Sequence, residues 1–318
     1  NYYRTFIASG EKVAPVELPG YQTDALTDLS IGYLGERVAE DPGRPWFHVI
    51  AYESPHPGAG AAGGSASGYP VPEPFGSAFP PDQIRLRPNV PLGRADEARQ
   101  QLAGYYRLIA NLDANVGRLL DYLDELGVSE DTLVVFTSDH GEMGGSHGLR
   151  NKQVPFDESL HVPLLFRHPG RLPAAGEYHG SVSLLDVAPT SLALASAGTA
   201  LGSHGLDHSP LLLTGADGRT DPLRDSVLVQ WNAPRFAFGD HPYRALRSER
   251  YTYVAGRDTA FCLLFDRYAD PYELENLYGH PANDDLQRSL HERLLKSLAQ
   301  AGETPPDFVL TPPQPSPS

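Results

Sequence analysis

The sequence predicts an α/β protein: a largely parallel central sheet flanked by helices, plus a small antiparallel sheet closed by a C-terminal helix. Three observations carry that expectation. Over the first two-thirds of the 318 residues, short apolar runs alternate with helix-period segments, the order that layers helices on the faces of a sheet. After about Pro222 the texture changes to short β-type runs spaced by turn residues, DSVLVQW, HPYRALRSERYTYVAG and AFCLLFDRY. A leucine-rich helical pattern, LQRSLHERLLKSLAQAG, follows them. On this reading residues 1–221 form a large domain, 222–304 a small antiparallel-sheet subdomain, and 305–318 a proline-dense tail expected to be extended or disordered.

Each element has its own signal. Pro45 to Glu53, PWFHVIAYE, is an apolar and aromatic run bounded by DPGRP and SPHPG, so it reads as a buried strand leading to His56. From there to Leu92 the chain is rich in Gly, Pro, Ala and Ser, a long excursion of the functional or mobile kind. Ala98, Leu102, Tyr105, Ile109, Leu112, Val116, Leu119, Leu123 and Leu126 recur at steps of three and four, and Gly127 stands where a left-handed cap ends a helix. Strands TLVVFTS and HVPLLFRHP come next, then the helical SLLDVAPTSLALASAG, with Pro189 tolerable only in a first turn.

Composition narrows the function. A hydrophobic content of 40% and a charged content of 20% describe a globular chain with a sizeable core. The formal charge of -15 lacks any Lys/Arg cluster, which excludes a surface that tracks nucleic acid or an anionic membrane. No apolar run approaches the roughly 18 residues of a membrane span. The single cysteine, Cys262, excludes an intrachain disulfide framework and a multi-cysteine zinc site.

The most chemical stretch is TLVVFTSDHGEMGGSHGLRNK, Thr132 to Lys152. Ligands of open α/β sheets gather beyond the carboxyl ends of strands, where Asp139 and His140 fall. A carboxylate there suits a divalent cation, and a neutral imidazole beside it supplies a second ligand or a proton. Alone, Asp-His-Gly fits a capped turn and a solvated histidine better than a metal site.

The longer run SDHGEMGGSHGLRNKQVPFDESLHVPLLFRHPG resembles the sulfatase family of the alkaline-phosphatase-like superfamily. AYESPHPG, VSLLDVAPTSLALAS, ALRSERYTYVAG and LFDRYADPYELENL extend the resemblance over nearly the whole chain. It implies an alkaline-phosphatase-like fold and sulfuric ester hydrolase activity. Asp139 and His140 match two metal ligands. Lys152 matches the lysine that contacts the sulfate, and His56 the histidine that touches the sulfate or protonates the leaving oxygen. His147 is expected to support the loop, and Glu142 and Glu158 to hydrogen-bond backbone. The implied cofactors are a divalent metal, Ca2+ first with Mn2+ or another transition metal as the alternative because imidazole is a softer donor, and a formylglycine nucleophile. The implied partner is a small-molecule or glycan sulfate ester.

Departures from the family pattern shape the expectation further. No C/S-x-P/A-x-R nucleophile motif is present, Cys262 lying in AFCLLFDRY, and no strand ends in paired aspartates. Asp284 and Asp285 precede a helix, where capping is their expected role. The reading is therefore a sulfatase chain truncated at its N-terminus, inactive without a segment before Asn1 that holds the formylglycine and two further ligands. The alternatives are a phosphonate monoester or phosphodiester hydrolase of the same superfamily, and a non-catalytic anion-binding pseudoenzyme. The Gly/Ala/Ser-rich stretch from Gly58 to Tyr69 replaces the aromatic residue common after His-x-Pro in the family.

Overall fold

Two helices dominate the first part of the chain because their sequences let them pack face to face. Helix α1 (Gln22–Glu40) and helix α2 (Ala95–Glu125) meet through a partly polar face: Asn111 and Asn115 each donate their Nδ2 to Asp24 Oδ1, at 2.9 and 2.7 Å. The predicted apolar stripe of α2 is only partly the buried one. Gln101, Gly104, Leu108, Asn111 and Asn115 are buried, whereas Ile109 is exposed. Gly127 ends the helix at φ 70°, with Gly127 N–H donating to Asp124 O and Val128 N–H to Leu123 O, as its left-handed freedom predicts.

In the computed structural model, residues 5–7, 16–58, 68–174, 176–198, 202–217, 223–232 and 241–311 are described. The chain divides into two compact units, Asn1–Thr132 and Leu133–Ser318. The first holds β1 (Thr5–Ile7) paired antiparallel with β2 (Val16–Leu18), then α1 and α2. Most of the Gly58–Tyr69 stretch lies outside the described residues.

Pro45 to Glu53 corrects the strand expectation. Its backbone joins no ladder among the described residues, because an apolar run makes a strand only where a neighbour supplies hydrogen bonds. The period of two is present nonetheless. His48 bonds Ser30 Oγ at 3.1 Å and stacks on Tyr33, and Tyr52 bonds Thr27 at 2.8 Å. On the opposite face Phe47 and Val49 are 85% and 67% exposed.

In the second unit β3 (Val134–Thr137) pairs with β4 (Leu164–Arg167), and the pairing is antiparallel, Val134 opposite Arg167 and Thr137 opposite Leu164. A parallel pair needs a crossover, usually a helix. The connection between these strands contains only short turns, a 3-10 turn at Ser146–Gly148 and the single α-helical turn α3 (Asp157–Leu160), and folds back on itself instead. No parallel pairing occurs among the described residues. Helix α4 (Val187–Leu194) carries Pro189 in its first turn, after a capping box between Ser183 and Asp186, and the short α5 (Ser209–Thr214) follows.

The C-terminal region matches its sequence. Strands β5 (Ser226–Trp231), β6 (Tyr243–Ser248), β7 (Tyr251–Gly256) and β8 (Leu263–Asp266) form an antiparallel meander. Helix α6 (Asp284–Gln300) lays Leu290, Leu294 and Leu298 on one sheet face against Leu246, Tyr253 and Leu264. Burying each such leucine is worth about 1.5–3 kcal/mol. The tail departs from expectation at its start: a turn of helix, α7 (Asp307–Leu310), buries Val309 in the same core. An apolar side chain next to an existing core outweighs the local proline signal. Asp284 and Asp285 sit in the first turn of α6, but the N-cap position is Asn283 and makes no side-chain cap bond. Asp285 pairs with Arg288 at 3.1 Å, so the two acids act on the helix dipole rather than as caps.

Candidate active site

Strand β3 ends at Thr137, and the next three residues turn the chain outward. Ser138 Oγ donates to His140 O at 2.8 Å, and the His140 N–H donates to Asp139 Oδ1 at 3.0 Å. His140 Nδ1 lies 2.9 Å from Gly141 O. An Nδ1–H donated to a carbonyl leaves the lone pair on Nε2, which stands 3.4 Å from Asp139 Oδ2. The Asp139 side chain is 82% exposed and that of His140 34%, so an acid oxygen and an imidazole nitrogen converge in reach of solvent.

Behind this pair the loop is held tightly. Gly141 N–H donates to Ser159 O at 2.9 Å, and a Cβ on Gly141 would fall 2.0 Å from Glu158 O. Only glycine fits that backbone approach. Gly141→Ala is therefore expected to cost about 1–3 kcal/mol by overpacking, read as a lower urea midpoint; an unchanged midpoint would contradict the tight approach. Glu142 behaves as the sequence suggests, its Oε1 accepting from the Asn151 N–H at 2.6 Å and the Gly144 N–H at 3.4 Å.

Lys152 sits between two residues in left-handed backbone, Asn151 (φ 65°) and Gln153 (φ 81°). The loop is moored to the antiparallel sheet. His147 stacks on Phe156 at 4.1 Å, and Phe156 packs against Phe265 of β8. This matches the supporting role expected of His147. His241, ahead of β6, lies 2.9 Å through Nε2 from Gln153 O. Sequence reasoning passes over His241, because a lone histidine before a strand has no local signature; only the sheet brings it to the loop.

An ionic cluster fastens the far end of the loop. Arg247 on β6 pairs with Asp157, reaches Glu273 Oε1 at 3.5 Å and donates to Thr252 Oγ1 at 3.2 Å. Glu273 Oε2 accepts from the Asp157 N–H at 2.9 Å, and Thr252 Oγ1 donates to Glu273 Oε1 at 2.8 Å. Burial by itself would raise the Asp157 carboxyl, but the His161 bond and the Arg247 and Arg267 charges outweigh it and hold it well below the usual carboxylate range. Glu273 is pushed up, burial exceeding the pull of Arg247 and of its hydrogen bonds. Cys262 is buried, its Sγ 3.4 Å from Gly256 O, and burial raises its thiol, an inert setting for a nucleophile.

His56 belongs to the first unit. Its N–H donates to Glu53 O at 2.8 Å, and its Nδ1 lies 2.8 Å from Pro57 O, which commits Nδ1–H to that carbonyl and leaves Nε2 as the atom that can take up and give a proton. Ser54, buried two residues earlier, bonds Leu108 O on α2 at 3.4 Å, so the histidine rides on a loop anchored to a long helix.

The donors fit a divalent ion in kind. Ligands about 2.3 Å from a shared cation and near a right angle stand about 3.3 Å apart, close to the 3.4 Å between His140 Nε2 and Asp139 Oδ2. In number they are few: among the described residues no three His, Cys, Asp or Glu side chains form a metal-sized group. Two donors would hold one side of an ion.

Comparison with known proteins follows the same lines. A family model described as Sulfatase matches residues 1–197, and one described as N-sulphoglucosamine sulphohydrolase, C-terminal, matches residues 145–300. The chain is 33% identical over 288 residues to the ulvan-active sulfatase of Formosa agariphila, covering 89% of this chain and 53% of that protein. It thus spans about half the length of that relative. The structure is similar to that of the yidJ protein of Bacteroides fragilis, with a TM-score of 0.79 and 22% identity over 97% of this chain and 65% of that one. It is also similar to the phosphonate monoester hydrolase of Agrobacterium radiobacter, with a TM-score of 0.71 and 26% identity over 89% and 62%. These likenesses carry an α/β fold of the alkaline-phosphatase-like kind, whose family implies a divalent metal and a formylglycine. Matched by the sulfatase family model over more than half its length, the chain belongs to the sulfatase family.

Proposed function

We propose that the protein is a metal-dependent sulfuric ester hydrolase. The observation that carries this reading is the Asp139–His140 pair at the end of β3, followed by a rigidly bracketed Lys152, in a chain of the sulfatase family. Asp139 Oδ2 and His140 Nε2 would hold one side of the divalent ion, Ca2+ by family habit and Mn2+ or another transition metal as the alternative. The bound ion would supply charge against the anionic ester. Lys152 directs an ammonium to the sulfate oxygens, where a preset charge is worth most as negative charge builds. His56 contacts the sulfate or delivers a proton to the leaving oxygen. Formylglycine is the expected nucleophile, and the substrate a sulfate ester of a small molecule or a glycan, the latter in keeping with the ulvan-active relative.

The same proposal extends to architecture. Residues 1–221 belong to the large α/β domain, and 222–304 form the small sheet subdomain before the 305–318 tail.

A second reading has a specific observation behind it: His140 places an imidazole in the ligand set, and the likeness to a phosphonate monoester hydrolase reaches 26% identity. Turnover of an aryl sulfate against an aryl phosphonate by the full-length protein separates the two. Faster aryl sulfate cleavage is expected, and faster phosphonate cleavage would reverse the assignment.

A further inference from the structure

We infer that His241 is a positioning residue for Lys152; the inference rests on the reading of Lys152 proposed above. Lys152 is bracketed by two non-glycine residues in the left-handed region, Asn151 and Gln153. That conformation disfavours L-residues and persists only where surroundings over-determine it. On the Asn151 side the surroundings are within the loop: its carbonyl accepts from the Met143 N–H at 2.8 Å and its N–H donates to Glu142 Oε1. On the Gln153 side the restraint comes from outside the loop, through the 2.9 Å bond between His241 Nε2 and the Gln153 carbonyl.

The donor is itself rigid. His241 is 2% exposed and stacks on Phe261 at 4.6 Å, with Trp231 and Tyr243 stacked further out. Val154, the next residue along the loop, is fully buried, so the chain beyond Gln153 is pinned as well. Removing the Nε2 donor strips the carbonyl of that partner, which favours rotation of the Gln153 peptide toward another. Such a rotation changes ψ of Gln153 and so releases the left-handed backbone that follows Lys152, and the course of the chain at the lysine is reset through that residue. In this role His241 touches neither substrate nor metal; it acts through the aim of the Lys152 ammonium.

His241→Phe keeps an aromatic ring in the stack and removes the donor. In the full-length protein its kcat/KM on an aryl sulfate is expected to fall about tenfold to a hundredfold, the scale of a misplaced catalytic group, with the melting temperature within a few degrees of the parent. The decisive readout is a double-mutant cycle with Lys152→Ala. If His241 works through Lys152, adding His241→Phe to Lys152→Ala lowers turnover by less than about twofold. Losses that multiply in full, or parental turnover in His241→Phe, overturn the inference while leaving the role of Lys152 standing. Parental turnover in Lys152→Ala alone removes the reading of Lys152 and the inference with it. Should His241→Phe show no cooperative melt, His241→Gln takes its place in the cycle. Glutamine retains an N–H donor but not the ring that aims it, so a sub-multiplicative loss again supports the inference and a fully multiplicative one overturns it.

Discussion

Replacing Arg247 with methionine is expected to destabilise the second unit by about 3–5 kcal/mol at neutral pH, the cost of leaving buried charge without its partner. The guanidinium serves two acids at once. Asp157 and Glu273 are 16% and 1% exposed, and Arg247 contacts both while Arg267 stands 3.7 Å from Asp157. Methionine fills the volume but returns neither charge nor donors. The pH dependence follows from the two carboxyls. The folded-state value of Asp157 is depressed, so its contribution is present above its unfolded value of about 4 and is lost as the pH falls through the folded one. Glu273 is shifted upward, so folding favours its acid form; its contribution is present below about 4.3 and is lost as the pH rises through the folded value. Without Arg247 both acids take up protons more readily, and the penalty shrinks in acid. Urea unfolding of parent and variant should therefore show the widest gap near pH 7, narrowing as the pH falls, first above about 4.3 as Glu273 takes up its proton and further below about 4 through Asp157. A gap under about 1 kcal/mol, typical of exposed pairs, or one independent of pH, would mean the cluster carries no buried charge.

Asp139→Ala in the full-length protein is expected to abolish metal binding and, with it, aryl sulfate turnover. Loss of a mere hydrogen-bond partner of a ligand weakens metal affinity about 10–100-fold; loss of a charged oxygen donor should exceed that. The substitution is also structurally cheap. The Asp139 side chain is mostly exposed, and its hydrogen bonds are to its own neighbours, the His140 N–H and Ser138 Oγ. A melting temperature near the parent's together with lost metal is the expected pair of results. Metal content equal to the parent's would refute the assignment of Asp139, whatever happened to activity.

The legibility of the chain differs between its parts for physical reasons. The C-terminal meander and α6 are readable because period-two and leucine-stripe patterns report directly on which faces are buried, as Leu290, Leu294 and Leu298 do. Gly127 is readable because a left-handed cap is a property of one residue's backbone. The polar face of α2 is not: Asn111 and Asn115 look like solvent residues until Asp24 on another helix receives their amides. The direction of β3 against β4 differs from the parallel expectation, since the apolar content of a strand says nothing about the course of its connection. The start of the tail differs for a similar reason, because Val309 is buried by a core whose other members include residues of β6, β7, β8 and α6.

At the candidate site the division is finer. By itself the sequence determined which groups stand side by side, Asp139 with His140 at the end of a strand, because adjacency in the chain needs no fold. It also determined, through resemblance, the family and the residue types to look for. Tertiary structure alone decided that Gly141 must be glycine, that Glu142 ties Asn151, and that His241, Phe265, Arg247 and Glu273 moor the lysine loop to a sheet about a hundred residues downstream. Such contacts are set by the packing of one element on another, and a linear pattern holds no record of them until the chain has closed.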